Sequence, residues 1–238
     1  MSEEKQAFYG KLRFLVESYY DIQDMRIITG NRLFAIAKVL NIPKQDIVET
    51  SAGTVYQGVE GIEGQIKKLL KEELKDNAVW QSYLRRVRGI GIVLASGLLG
   101  YVEDISKFDN VAKLWAYFGQ KVVDGHSERR TRGEKIHYNP KAKVLAWKIS
   151  SSFVKTGKGY RKLYEEFKKK EAEVHAQKCP ACKSPKGHID ARARRKTVKL
   201  FLSHLWNEWR RMEGLSTQGP YAIDVLKHLG YIPPIYDR

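Results

Sequence analysis

Cysteine is almost missing from this chain, with only Cys179 and Cys182 among 238 residues. Two thiols in C-x2-C spacing, with no signal-like segment before them, exclude a disulfide framework and read as metal ligands or free thiols. Long apolar runs are missing too. The longest, Ile90 to Tyr101, contains three glycines and falls short of the roughly 20 residues that a bilayer span requires, so no membrane partner is expected. The opening Met1-Ser2-Glu3-Glu4-Lys5 is polar and argues against export, so a cytoplasmic, DNA-associated location is expected. Acidic residues are few beside basic ones, 27 against 43, and leave a net charge of +16. Such a surface attracts polyanions, nucleic acid first. Strand-like alternation is scarce, confined to Lys121–Val123 and the residues around Lys135–Tyr138, which excludes a sheet-based architecture and predicts a mainly α fold with at most a small hairpin.

What is present is helical periodicity. Phe8, Leu12, Leu15, Val16 and Tyr19 recur at helical spacing and continue through Ile22 to Leu33, Ile36 and Leu40, predicting one long helix or a hairpin broken near Gly30-Asn31. Pro43, Gly53, Gly58 and Gly61 predict a loop over 41–61. A second helix follows, with Ile62, Ile66, Leu69, Leu70 and Leu74 on one face. Residues 1–79 are therefore expected to be a packing element, a helical hairpin or an intersubunit coiled coil that pairs two copies. Residues 80–212 form the expected main domain, with helices at Lys141–Lys155, Tyr160–His175 and Lys196–Met212. Residues 213–238 form a tail whose Pro233-Pro234 cannot be helical.

Within the main domain, Leu84-Arg85-Arg86-Val87-Arg88-Gly89-Ile90-Gly91 leads into an apolar helix, the form of a helix-hairpin-helix. Gly89 and Gly91 permit a tight turn, Ile90 anchors it, and the amides opening the second helix sit at a positive helix end suited to a backbone phosphate. Glycines alone would only let two helices pack closely; Arg85, Arg86 and Arg88 add the electrostatic share of phosphate binding. Downstream, Lys121, Arg129, Arg130, Arg132, Lys135, Lys141 and Lys143 accumulate in a polar stretch ending at Asn139-Pro140. Arginine dominance beside the hairpin points to a nucleic-acid surface.

The order Val87-Arg88-Gly89-Ile90-Gly91, Asp104-Ile105-Ser106-Lys107-Phe108, Ala112-Lys113-Leu114, Ala116-Tyr117-Phe118-Gly119 and then the basic loop resembles the C-terminal transposase domain of the bridge-RNA-guided insertion-sequence transposases. The resemblance covers about Tyr83 to Glu208. It implies a serine nucleophile in the loop after the Tyr-x-Gly stretch, at a composite site completed by an acidic RuvC-like nuclease domain. The serine at the matching distance is Ser127, followed here by Glu128 where the family has glycine. A metal-binding nuclease fold needs carboxylates gathered on strands, whereas residues 1–80 read as helices. The chain alone is therefore expected to bind DNA, duplex or branched, rather than cut it. The rivals are transposase- or recombinase-type strand transfer through Ser127 with an acidic partner domain, and a structured-RNA-binding module, since a hairpin grips phosphate in either polymer.

Two further constellations stand out. His175, Cys179, Cys182 and His188 have the spacing to close around one structural zinc ion, fixing a loop over 175–188 between the helix ending near His175 and one entered after Asp190. Beyond it, Arg192, Arg195 and Lys199 fall on one helix face, a possible phosphate-gripping stripe, with Asp190 expected to open the helix.

Overall fold

The computed structural model describes residues 2–123, 126–128, 130, 132–133, 135–217 and 232–237. The chain divides into two compact units, Met1–Lys75 and Asp76–Arg238.

The first unit holds α1 (Glu3–Val39), α2 (Lys44–Val48) and α3 (Ser51–Leu74). The side chain of Ser2 caps α1 by accepting from the Lys5 amide, with Glu3 and Glu4 in the first turn, where a helix dipole favours negative charge. The helix runs unbroken through Gly30, which is buried and lets the Tyr56 ring approach: an added Cβ would lie 3.0 Å from it. Leu12, Val16 and Tyr19 of α1 and Ile66, Leu70 and Leu74 of α3 are buried where the two helices pair. Each fully buried leucine stabilises the hairpin by roughly 1.5–3 kcal/mol.

The expected loop over 41–61 is overturned, since α2 and α3 occupy most of it. Gly53 sits in the first turn of α3 against the Val48 carbonyl, where a Cβ would fall 2.0 Å from the oxygen. Glycines that read as loop punctuation are carried inside a helix whose burial outweighs a cost of about 1 kcal/mol each. The buried stripe also differs from expectation: Ile62 and Leu69 are exposed, and Val59 and Glu63 take the inner positions.

The second unit is built from α4 (Ala78–Ser82), a single 3-10 turn at Leu84–Arg86, α5 (Ile92–Val102), a second 3-10 turn at Ile105–Lys107, α6 (Val111–Tyr117), a two-residue antiparallel pair β1 (Val122–Val123) and β2 (His126–Ser127), then α7 (Pro140–Thr156), α8 (Tyr160–Lys178) and α9 (Pro185–Met212). The fold is thus mainly α, as expected, although Lys135–Tyr138 is irregular rather than strand. Asn139 starts α7 by accepting from the Lys141 and Ala142 amides, with Pro140 at the first helical position, where its missing amide costs nothing. Helix α9 supplies the centre. Phe201, Leu202, Leu205, Trp206 and Trp209 are buried, Trp206 donates to the Phe108 carbonyl at 2.7 Å, and Trp115 of α6 donates to the Lys199 carbonyl at 2.9 Å.

A buried hydrogen-bond chain crosses this core. His204 Nε2 faces the Ile232 carbonyl at 2.7 Å and must donate to it, so Nδ1 accepts from the Tyr160 hydroxyl at 2.6 Å, and Tyr160 in turn lies 3.2 Å from the Tyr83 hydroxyl. Burial holds the His204 pKa below its ordinary value, which keeps the imidazole neutral and the chain intact. Residues 232–237 of the tail have no regular secondary structure and meet this network at the Ile232 carbonyl, and 218–231 lie outside the described residues.

Candidate nucleic-acid interface and metal centre

The hairpin is formed by α4 with its 3-10 turn, the segment Val87–Gly91, and α5. Gly89 has φ +95°, and an added Cβ would stand 2.9 Å from the Phe153 ring of α7, so both the backbone and the packing demand glycine there. Its carbonyl accepts from Ser152 at 2.6 Å, and Ile90 is fully buried. Gly91 differs. It is exposed, has φ −94°, and an added Cβ would meet nothing within 4 Å. It caps α5 with no side-chain hydrogen bond, and the first in-helix bond here is Ala95 to the Gly91 carbonyl, so the preceding amides have no helical acceptor. Gly91 leaves their approach open to solvent.

Around this turn Arg85 and Arg86 are exposed, Arg85 hydrogen-bonded to Gln81 and Arg86 lying 4.3 Å over the Tyr236 ring. Arg88 is half-buried and its Nε has no hydrogen-bond partner among the described residues. Arg130, Arg132 and Lys135 are exposed; Arg129 lies outside the described residues. The residues anticipated as a stripe on α9 lie close enough for the charge of Arg192 to act on Arg195 and that of Arg195 on Lys199, but they differ in their contacts. Arg192 pairs with Glu171 at 3.8 Å and reaches His175 Nδ1 at 3.5 Å, and Lys199 lies 4.0 Å over the Trp115 ring, while Arg195 lines a cavity. Helix α9 begins at Pro185, so Asp190 does not open it; its carboxylate accepts from Tyr164 and pairs with Arg194 at 2.6 Å.

Ser127 lines that same cavity with Lys143, Arg194 and Arg195. Gly119, at φ +63°, lets the Lys143 stem cross it, since a Cβ would be 2.6 Å from Lys143 Cδ. Sequence reasoning left out Trp147, although its aromatic ring falls off the core register of α7 set by Ala142, Leu145, Ala146, Ile149 and Phe153. That mismatch was the available signal.

The cysteines occupy a link of six residues, 179–184, between α8 and α9, shorter than the anticipated loop because both helices extend into it. His175 Nδ1 faces Arg192, leaving Nε2 buried with no partner. Donor atoms of His175, Cys179 and Cys182 lie within 4.8 Å of one another, a set able to hold a metal ion. His188, in the first turn of α9, places Nδ1 3.0 Å from Cys182 Sγ and 3.9 Å from Cys179 Sγ. His188 thus stands beside the two thiols, but the set whose donor atoms all lie within 4.8 Å of one another comprises His175, Cys179 and Cys182.

Among the described residues no helix is long and apolar enough to cross a membrane. No curated protein and no solved structure matches the chain. Residues 81–165, from the end of α4 through the hairpin, α5, α6, the strand pair and α7 into α8, match the model of the transposase IS116/IS110/IS902 family, so the hairpin-bearing stretch is transposase-related.

Proposed function

We propose that this chain is a transposase-related DNA-binding protein that holds the phosphate backbone of duplex or branched DNA at the Gly89–Gly91 turn, aided by the exposed arginines around it. The observation that carries the reading is the contrast within the turn: Gly89 is filled by packing, whereas Gly91 faces open space beside uncapped helix amides inside the family-matched stretch. Phosphate contact of this kind positions a protein without reading sequence. Residues His175, Cys179, Cys182 and His188 hold one structural zinc ion that ties α8 to α9. The first unit pairs two copies: Phe14, Met25, Ile28, Ile36 and Val39 are exposed apolar residues of α1, and at 100° per residue they share one stripe, nearly opposite the buried one.

A second reading, DNA strand transfer from Ser127 with an acidic domain supplied by another chain, is favoured by the cations that line the same cavity as Ser127, which would steady charge developing on an attacked phosphate.

The test is binding at fixed salt to linear duplex, a four-way junction, single strand and folded RNA. Gly91→Val with Arg88→Ala should weaken duplex or junction binding roughly ten-fold and flatten its salt dependence by about one phosphate contact, with no change in melting temperature. Unchanged affinity would reduce the hairpin to a packing motif, and tightest binding to folded RNA would replace DNA with RNA. A covalent DNA adduct lost in Ser127→Ala would establish strand transfer.

A further inference from the structure

Between α7 and α9 lies a cavity of about 360 Å³, lined among the described residues by Lys143, Arg194 and Arg195 against a single carboxylate, Asp190, and by the indole of Trp147. Trp147 is 64% exposed while α7 buries its other face. A large ring left in water at the wall of a concave, cationic site is a platform on which a flat, apolar group can stack.

The two arginines of α9 differ in what they already hold. Arg194 is committed, paired with Asp190 at 2.6 Å and bonded to Ser151 at 3.3 Å. Asp190 is taken by that pair and by Tyr164, so no carboxylate of the lining remains for Arg195. Among the described residues Arg195 has neither a hydrogen bond nor an ion pair, although it is half-buried. Burial, then the neighbouring charge of Arg192, pulls its pKa down, and Glu171, the one acid acting on it, is paired with Lys196 at 2.6 Å. A desolvated guanidinium without a partner is relieved by an anion entering the cavity, most strongly by a phosphate that can accept two of its donors.

A cavity of this size stands at the lower end of small-molecule sites, room for a single nucleoside with its phosphate and far too narrow for a duplex. A carboxylate side chain would satisfy Arg195 and leave the indole bare, and an apolar side chain would do the reverse. We propose that the cavity receives one unstacked DNA nucleotide, its base laid on the Trp147 ring and its phosphate against Arg195. This rests on the DNA-binding reading above and adds to it a second contact, to a single-stranded or flipped-out nucleotide, away from the hairpin. Any nucleobase offers the ring a face, so the contact tolerates sequence.

The experiment measures binding of the full chain to a short oligodeoxythymidine and to a linear duplex of matched length, for wild type, Trp147→Ala, Trp147→Phe and Arg195→Gln. Loss of the stacking ring should weaken single-strand binding roughly five- to one-hundred-fold and leave duplex binding within about two-fold. Trp147→Phe should keep most of the affinity, and Arg195→Gln should lower the single-strand salt slope by about 0.7. Trp147 is exposed, so melting temperatures should not move. Single-strand binding that is absent, or indifferent to Trp147, overturns the proposal while duplex binding leaves the hairpin reading standing. Single-strand binding that needs Trp147, in a protein that ignores duplex, supports the cavity and overturns the hairpin.

Discussion

The carboxylate of Asp237 lies against the backbone of Arg88, with Oδ1 accepting the amide hydrogen at 2.9 Å. The contact joins residues far apart in sequence, and its neighbours reinforce it: the Asp237 amide donates to the Arg86 carbonyl at 3.2 Å, and Tyr236 meets the Arg86 guanidinium on one side and the edge of Tyr83 on another. Gly159, at φ +59°, makes room, since a Cβ there would lie 2.3 Å from Asp237 Oδ2. The end of the tail is thereby tied to the backbone of Arg86 and Arg88, ahead of the open Gly91.

Asp237→Ala should therefore destabilise the second unit by about 1 kcal/mol, the net worth of a hydrogen bond whose donor is left without a partner. Gly159→Ala should cost more, because it combines a left-handed backbone with a clash. Thermal denaturation reads both, at roughly 2–4 °C per kcal/mol for a domain of this size. Melting curves that coincide with wild type would mean the tie carries no stability.

Zinc is expected at one ion per chain in protein purified without added metal, by elemental analysis. A chelator should lower the melting temperature and render Cys179 and Cys182 reactive to thiol reagents. His188→Ala should weaken retention of the ion more than it perturbs the fold, because His188 sits in the exposed first turn of α9 and metal binding is coupled to ordering of the link. A metal content near zero with two freely reactive thiols would dispose of the site.

In the first unit, Glu63 is buried yet accepts from Tyr19 at 2.7 Å and from Arg26, and pairs with Lys67 at 3.3 Å. Burial alone would raise its pKa; the hydrogen bonds from Arg26, Tyr19 and Lys67 prevail and hold it at about 2, below the ordinary 4.5. The unfolded chain therefore binds the proton more readily between those values, and stability rises with pH there. The contribution is complete above pH 4.5 and drains away as pH falls toward 2. Glu63→Gln should lower stability at neutral pH and flatten the dependence across that window. Denaturant titrations of both proteins at several acidic pH values check this, and parallel curves would refute it.

Much of the second unit was readable in order along the chain. The stop after Arg88, the apolar run of α5 and the register of α9 all follow from side-chain type and period, and they are local properties. The stretch over 41–61 was not, because Pro43 and the glycines argue locally for a loop while the pairing of α1 with α3 decides for helix. The start of α9 was misplaced for a related reason: Lys186-Gly187-His188 has no apolar period, and only Pro185 at the first helical position marks the beginning.

The amino acids by themselves determined a mainly helical, strongly basic protein, a Gly-Ile-Gly turn among arginines, and two thiols close enough to share a ligand. Those features depend on composition and on spacings of a few residues, where chain geometry leaves little freedom. Tertiary structure alone decided which glycine is packed and which is open, that Arg192 and Lys199 are spent inside the fold while Arg195 is not, and that Trp147 shares a cavity with it. Each of these turns on what a distant segment places beside a side chain, and burial, charge pairing and free space are properties of that neighbour as much as of the residue.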